Sequence, residues 1–452
     1  MPDTPTARPA RRAVGRAAAA APSPGTPATA PPAPGPATRR FTERREAILD
    51  AAARRFNAQG LKGATLADIA ADVGLVTTSL TYYYRRKEDL AAACFQRAIA
   101  LHRGLAEAAA GQGATPAERI GAFVLAEAAL PARQAEGQAP PQLEFNDIRA
   151  LPERQAAEVF EAYNGLFRAV RRLLTGLPGL GRDDLNARAH LLLSAVHWLR
   201  AWLARYEADD HPRVARRVAQ LLLQGLGAPG RPWPDEHALH SVPRPEQAGL
   251  GLASAAGGPG ADGLATGEAF LRAATELVNE QGYLGASVDR IAARLQLTKG
   301  AFYHHNDTKL DLISACFDRS HALIRHTLRA AEAAHGDGWL RACAATASLV
   351  QFQLGPQGPL LRASAISALP DPAARDRVRQ QAQRLNERLV SVLVDGMQDG
   401  SVRPLDPALG AQLLACAMNA AAELQRWVPA IGPADVVPRY VRPALAGLLA
   451  PA

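Results

Sequence analysis

Residues 65–90 read TLADIAADVGLVTTSLTYYYRRKEDL, and residues 287–312 read SVDRIAARLQLTKGAFYHHNDTKLDL. The two stretches align without a gap at a spacing of 222 residues, so the chain encodes one local structure twice. A self-match of this length marks a duplicated architecture. The same spacing relates Ala51-Ala52 to Ala273-Ala274, Phe56 to Val278, Gly60 to Gly282, and Cys94-Phe95 to Cys316-Phe317. It returns near the end of each copy, where Asp184, Leu191-Leu192, Leu223 and Leu226 answer Asp406, Leu413-Leu414, Leu445 and Leu448. In the middle, Leu151-Pro152 answers Leu369-Pro370 at a spacing of 218, so the two copies differ there by compensating length changes. Two homologous halves of roughly 190 residues follow, each of ordinary domain size.

Apolar periodicity defines the repeated unit. Ile48, Leu49, Ala52 and Phe56 recur three and four residues apart, as on one face of a helix. Gly60 supplies a left-handed stop. Thr65 with Asp68 forms the signature of a capped helix start, and Leu66, Ile69, Ala70 and Val73 line the buried face of that short helix. Gly74 gives a sharp turn, Leu75 plugs the angle, and a third helix spans about Thr77 to Tyr84. Two short helices joined by a tight turn form the DNA-reading helix-turn-helix, whose second helix presents outward residues to a major groove. The second copy repeats the pattern with Phe270, Leu271, Ala274 and Val278, then Ser287, Val288, Ile291, Ala292, Leu295 and Leu297. Gln296 stands at the turn position that Gly74 fills in the first copy. Thr308 with Asp311 caps the next long helix.

The outward positions suit DNA. Thr65, Thr77, Thr78, Ser79 and Thr81 offer hydroxyls to bases or phosphates, and Tyr82, Tyr83 and Lys87 lie toward the backbone. The second copy offers Ser287, Lys299, Gly300, Ala301, Tyr303, His304, His305 and Lys309. The competing assignment for the Tyr and His cluster is packing against the first helix; Tyr84 and Asn306 are assigned to packing.

These residues carry a family resemblance. Residues 44–98 and 267–320 resemble the amino-terminal domain of the TetR/AcrR transcriptional regulators, and TKGAFYHHNDTKLDLI is similar to that family's recognition signature at almost every position. The resemblance implies an all-α fold of two TetR-like units in tandem. Each unit has a three-helix helix-turn-helix DNA-binding domain and an all-helical ligand and dimerisation domain. It also implies a phosphate-contacting role for Lys87 and Lys309, a base-proximal role for Tyr303 and a phosphate contact for His305. Thr78 departs from the usual Gly, Thr81 from the usual Tyr, and Asn306 from a buried aromatic.

The expected boundaries are a basic Pro/Ala-rich tail over 1–40 and a first DNA-binding domain over 41–95. A first ligand domain follows over 96–226, then a Pro/Gly-rich linker over 227–263. The second DNA-binding domain spans 264–318 and its ligand domain 319–450. The tail has too little apolar surface to offset its ordering entropy and is expected to be disordered. Net charge is +8, and a basic tail raises non-specific DNA affinity. The chain holds only four lysines against its many arginines, which an Arg-favouring coding bias also explains.

Cys94, Cys316, Cys343 and Cys416 form no CxxC pair, pointing to buried free thiols in a reducing, cytoplasmic setting. No apolar run reaches transmembrane length, so no membrane partner is expected. Asp209-Asp210-His211 and His304-His305 lack further ligands at workable spacing, so no metal or other cofactor is expected. No phosphate loop or nucleophile elbow points to an enzyme. Leu191, Leu192, Ala195, Val196, Leu199 and Leu203, with Leu409, Leu413, Leu414, Ala417 and Leu424, form stripes suited to a dimer interface or to core. His190, His197, Trp198, Trp202, Trp339, Phe352 and Trp427 are candidates to line a ligand pocket, against core packing as the alternative.

The sequence therefore predicts a regulator, most simply a repressor released by a small-molecule effector, binding a double-stranded DNA operator as an intramolecular pseudo-dimer or a homodimer. The alternative is a helical ligand- or protein-binding module in which one or both DNA headpieces have degenerated.

Overall fold

The computed structural model describes residues 36–240, 242, 261–296, 308–334 and 336–451. Residues 297–307, and with them Leu297, Lys299, Gly300, Ala301, Tyr303, His304, His305 and Asn306, lie outside the described residues. Apart from one isolated bridge between Gly227 and Val402, the described secondary structure is helical.

The first half begins with α1 (Pro36–Gly63), α2 (Leu66–Asp72) and α3 (Thr77–Tyr83). Residues 36–40, assigned to the tail from sequence, are thus the first turn of α1. The long α4 (Lys87–Gln112) leads into α5 (Pro116–Ala128), α6 (Leu130–Ala135), a 3₁₀ turn over Phe145–Ala150, α7 (Glu153–Leu173), α8 (Arg182–Leu203) and α9 (His211–Gln224). After the short α10 (Glu236–His240), the second half repeats the plan with α11 (Ala261–Gly285), α12 (Val288–Arg294), α13 (Lys309–Ala334), α14 (Gly338–Leu354), α15 (Pro372–Gln398) and α16 (Pro407–Ala420). Its last segment departs from the first copy. Where α8 runs on to Leu203, α16 stops at Ala420 and gives way to a 3₁₀ turn (Ala421–Arg426); where α9 is one helix, residues 433–446 hold a π turn (Val437–Val441) and α17 (Arg442–Ala446). Pro429, Pro433, Pro438 and Pro443 remove backbone donors there and keep a long helix from forming.

The segment expected to be a linker is partly structured. Leu239 and Val242 are buried, and Trp233 packs edge-on against Trp339 at 5.9 Å between ring centroids. Trp339 Nε1 donates to Pro232 O at 3.4 Å. This Pro/Gly-rich segment therefore packs on the second half's core through Trp233 and the short α10, which lies against α14.

Residues 45–452 form one compact unit, and its main core draws side chains from both halves, including Phe123, Leu191, Leu413 and Tyr440. A second cluster joins the second copy's headpiece, through Phe270, Ile291 and Phe317, to Leu361, Ile366 and Leu369 behind it. The halves meet through equivalent elements: α8 lies against α16. The stripe residues Leu191, Leu192, Ala195, Val196, Leu199 and Leu203 are buried, as are Leu409, Leu413, Leu414, Ala417 and Leu424.

The tightest approach is reciprocal. Gly225 has φ +70, and a Cβ there would lie 2.2 Å from Leu445 O; Gly447 has φ +98, and a Cβ there would lie 2.4 Å from Leu223 O. Gly225 and Gly447 are 222 residues apart, as are Leu223 and Leu445, so one contact is the image of the other. That is the signature of an isologous interface. Leu226 N donates to Leu445 O and Leu448 N to Leu222 O, both at 2.7 Å. Arg188, fully buried, donates from Nε to Leu448 O at 3.0 Å and from Nη2 to Ala450 O at 2.7 Å.

Candidate DNA interface and ligand cavity

The first headpiece is built by local rules. Thr65 accepts from Asp68 N at 3.1 Å and caps α2, while its own hydroxyl donates to the Asp68 carboxylate at 2.6 Å. Arg55 grips Asp72 through two hydrogen bonds of 2.6 and 2.7 Å, fixing α1 against α2. Gly74 takes φ +65 at the turn, and Leu80 alone anchors α3 by full burial. Thr77, Thr78 and Ser79 are exposed on its outer side, with Tyr82 at 79% exposure and Val76 at 66%. Tyr82 and Tyr83 meet edge-to-face at 5.6 Å. Tyr84 is buried, matching its packing assignment.

Three predicted contacts have other duties as well. Thr81 is half-buried, and its hydroxyl donates to Thr78 O at 2.8 Å. Lys87 donates from Nζ to Ala64 O at 2.9 Å, closing the open carbonyl end of α1. Lys309 does the same in the second copy, donating to Tyr283 O with its ammonium 4.2 Å from the Tyr283 ring centroid. These lysines brace their headpieces, whatever phosphate they also reach.

The described part of the second headpiece follows the first. Ser287 accepts from Arg290 N at 3.3 Å, and Arg294 pairs with Glu280 through two 2.9 Å bonds. Gln296 occupies the turn with φ +57. A side chain in the left-handed region is strained where glycine is not. Thr308 and Asp311 form the expected cap, with Asp311 N donating to Thr308 Oγ1 at 3.1 Å and Thr308 N to Asp311 Oδ2 at 3.0 Å.

A cavity of about 450 Å³ opens between the halves. Of the sequence candidates, His190, His197 and Trp198 line it. Trp202, Trp339, Phe352 and Trp427 do not. Trp202 and Phe352 are core side chains, Trp339 packs on Gly227 and Trp233, and Trp427 stacks on Phe167 with centroids 3.6 Å apart. Their apolar surface is spent on packing, the alternative recognised from sequence.

At one end of the cavity His102 Nδ1 lies 2.8 Å from the Glu127 carboxylate. Burial disfavours the imidazolium, but the adjacent Glu127 charge and hydrogen bond overcome this and raise the His102 pKa. His197, whose ring lies 5.0 Å from Phe145 and 6.3 Å from His102, is instead pushed down to about 3 by burial and by His102. Its Nε2 is buried without a hydrogen-bond partner. At the other end Arg149 meets Glu423 at 2.8 Å, and Arg362 also pairs with Glu423. Burial opposes the Glu423 charge, yet Arg362 and Arg149 hold its pKa down at about 2. Arg426 lies over the Phe160 ring at 4.4 Å.

The His102–Glu127 pair and the Arg149–Arg362–Glu423 cluster escaped the sequence reading. One available signal was comparison of the copies. At the 222-residue spacing, His102 and Glu127 face Ile324 and Leu349, and His197 and Trp198 face Asn419 and Ala420.

Two short helices at a tight turn, an exposed second helix and a helical domain behind them define a helix-turn-helix protein with a ligand-sized cavity. Residues 48–94 and 270–316 both match the model for bacterial regulatory proteins of the tetR family. The Tn10 TetC protein of Escherichia coli is 39% identical over 59 residues, a match covering 13% of this chain and 30% of TetC. Among solved structures, apo AibR is 20% identical, with 39% of this chain and 96% of AibR covered at a TM-score of 0.33. AibR with isovaleryl coenzyme A and operator DNA is likewise 20% identical, covering 40% of this chain and 98% of that one at 0.33. A TetR/AcrR-family regulator from Thermobifida fusca is 22% identical over 40% of this chain and 98% of its own, at 0.30. The amino-terminal domain of the tetR family is thus matched twice in one polypeptide.

Proposed function

We propose that the chain is a sequence-specific transcriptional regulator, acting as a repressor whose two halves engage one operator as an intramolecular pseudo-dimer and release it when a small effector binds. The observation that carries this reading is the reciprocal contact of Gly225 with Leu445 O and of Gly447 with Leu223 O. A two-fold arrangement within one chain presents two headpieces to the two half-sites of a palindrome, about 34 Å or a multiple apart. Thr65, Thr77, Thr78, Ser79, Tyr82 and Tyr83 form the first reading surface, with Thr81 and Lys87 at its edge. By sequence, Ser287, Lys299, Gly300, Ala301, Tyr303, His304, His305 and Lys309 are the second copy's counterparts. Because Thr77-Thr78-Ser79 differs from Lys299-Gly300-Ala301, the half-sites should differ.

Selection of bound duplexes from random DNA, followed by native mass spectrometry of the complex, tests this. The expected result is one chain on an imperfect palindrome. Two chains on identical half-sites would refute the pseudo-dimer, and no sequence preference at moderate ionic strength would refute regulation through DNA.

A further inference from the structure

We propose that the cavity between the halves binds one small organic carboxylate with an apolar or aromatic body per chain, and that both headpieces respond to that single site. The second clause rests on the regulator reading; the first stands without it.

The charge distribution selects the ligand class. Arg149 and Arg362 share the single carboxylate of Glu423, and Arg426 flanks them over Phe160. Of the other charged lining residues, Arg200 and Glu144 are exposed, and Glu127 is paired with His102. The inner wall therefore carries more guanidinium than carboxylate. A planar guanidinium matches a carboxylate's geometry and gains strength where water is excluded. Next to this cationic wall stand Phe145, Tyr163, His197 and Trp198, an aromatic surface for the ligand body. The cavity volume is in the range of small-ligand sites.

The duplication argues for one site rather than two. Ile324, Leu349, Asn419 and Ala420 occupy in the second copy the positions of His102, Glu127, His197 and Trp198. The second copy is thus folded without those four side chains, and its Asn419 and Ala420 line the same cavity between the halves. Arg362 and Glu423 reach that same cavity from the second half.

Equivalent asparagines tie each headpiece to the cavity wall. Asn57, in α1, donates to Gln142 O at 2.8 Å and accepts from Glu144 N at 3.0 Å. Asn279, in α11, donates to Leu360 O at 2.9 Å and accepts from Arg362 N at 3.1 Å. Gln142 and Glu144 lie 218 residues before Leu360 and Arg362, so this is one clamp made twice. Gln142, Glu144 and Arg362 all face the cavity. The side chains of Arg362 and Arg149 also donate to Asn279 O. A carboxylate that draws these arginines toward itself acts directly on the helix carrying the second headpiece. Displacement of the 142–145 segment acts on the first.

Calorimetric titration of the full chain with 2-naphthoate, octanoate and their neutral amides tests the site. The expected result is one acid bound per chain, at least about tenfold tighter than its amide. Arg362→Gln should abolish this preference. Since that change also disturbs Asn279, Arg426→Gln serves as the second variant, expected to weaken acid binding and leave amide binding unchanged with an unaltered circular dichroism spectrum. Equal affinity for acid and amide, two acids per chain, or no binding of any of the four would overturn the proposal. For coupling, Asn57→Ala and Asn279→Ala should keep acid binding while the acid no longer raises the Kd for the selected duplex; an undiminished effect in both would remove the clamp. Acid binding by a chain that selects no DNA sequence would sink the regulator reading alone. Selective DNA binding without acid preference would sink the anion site alone.

Discussion

Replacing His102 and Glu127 with the second copy's own residues, His102→Ile and Glu127→Leu, separates what the pair does for the fold from what it does for the site. Side-chain exposures are 16% for His102 and 4% for Glu127, so either change alone strands its partner in a desolvated place. Stranding Glu127 in His102→Ile should cost about 3–5 kcal/mol, the usual penalty for breaking a buried pair from one side. Glu127→Leu should cost less, about 1–3 kcal/mol, because His102 can shed its proton and leave only an unsatisfied polar group. The double variant puts two apolar side chains where Ile324 and Leu349 already pack in the duplicate, and should be neutral or more stable than the parent by up to about 4 kcal/mol. The pH dependence has a definite sign. A raised folded-state pKa means the pair's contribution is complete below about pH 6.5 and is lost as pH rises through the folded value. The non-additivity of the two substitutions should therefore be larger at pH 6 than at pH 8.5. Thermal melts by circular dichroism at both values measure it. A double variant as unstable as the worse single one would show that the pair is structural, and the argument from the duplicate would fail.

The other tests address different levels of the structure. His197 is held neutral with a pKa of about 3, so the stability linked to its neutral form is full above about pH 6.5 and drains as pH falls toward 3. His197→Asn, the second copy's residue, should flatten that loss, worth at most about 5 kcal/mol; an acid melting profile identical to the parent's would contradict it. Gly225→Ala should destabilise by more than about 2 kcal/mol, since it adds a clash with Leu445 O to a left-handed φ. Gly230→Ala, with φ +76 and open space around the added carbon, should cost only about 1 kcal/mol, and equal losses at both glycines in chemical denaturation would argue against the close approach of the halves. Gln296→Gly relieves φ +57 and should stabilise the second headpiece by about 1 kcal/mol; hydrogen exchange in α12 should slow, and faster exchange there would count against the strain.

The headpieces were legible in the sequence because their determinants are local. A capping threonine, a glycine turn and apolar residues at helical spacing specify α2 and α3 without long-range help. The buried stripes of α8 and α16 were legible too, although periodicity alone could not choose between core and interface; in this chain they are both. The cavity was less legible, because its charged wall comes from residues far apart in sequence, such as Arg149 and Glu423. Tryptophans were a weak guide. Their large apolar area suits any buried surface, and Trp202 and Trp427 went to packing while Trp198 reached the cavity. Composition did not show that the Pro/Gly-rich segment after Gly227 also buries Leu239 and Val242.

Covalent tandem duplication explains why symmetry is kept in one place and abandoned in another. A homodimer must carry every residue twice, so an interface and a pocket are duplicated together. In a tandem chain each copy mutates independently, and only contacts that need their mirror image are constrained as a pair. Gly225 and Gly447 remain such a pair because each relieves the same clash from opposite sides. His102–Glu127 and Ile324–Leu349 have diverged because nothing couples them. A steepness limit follows for the proposed regulator. With one effector site per chain, homotropic cooperativity has no second site to act on, and the Hill coefficient cannot exceed the number of sites. Release from DNA should follow a simple hyperbola in free effector, with both headpieces leaving together because one cavity holds the clamps of both.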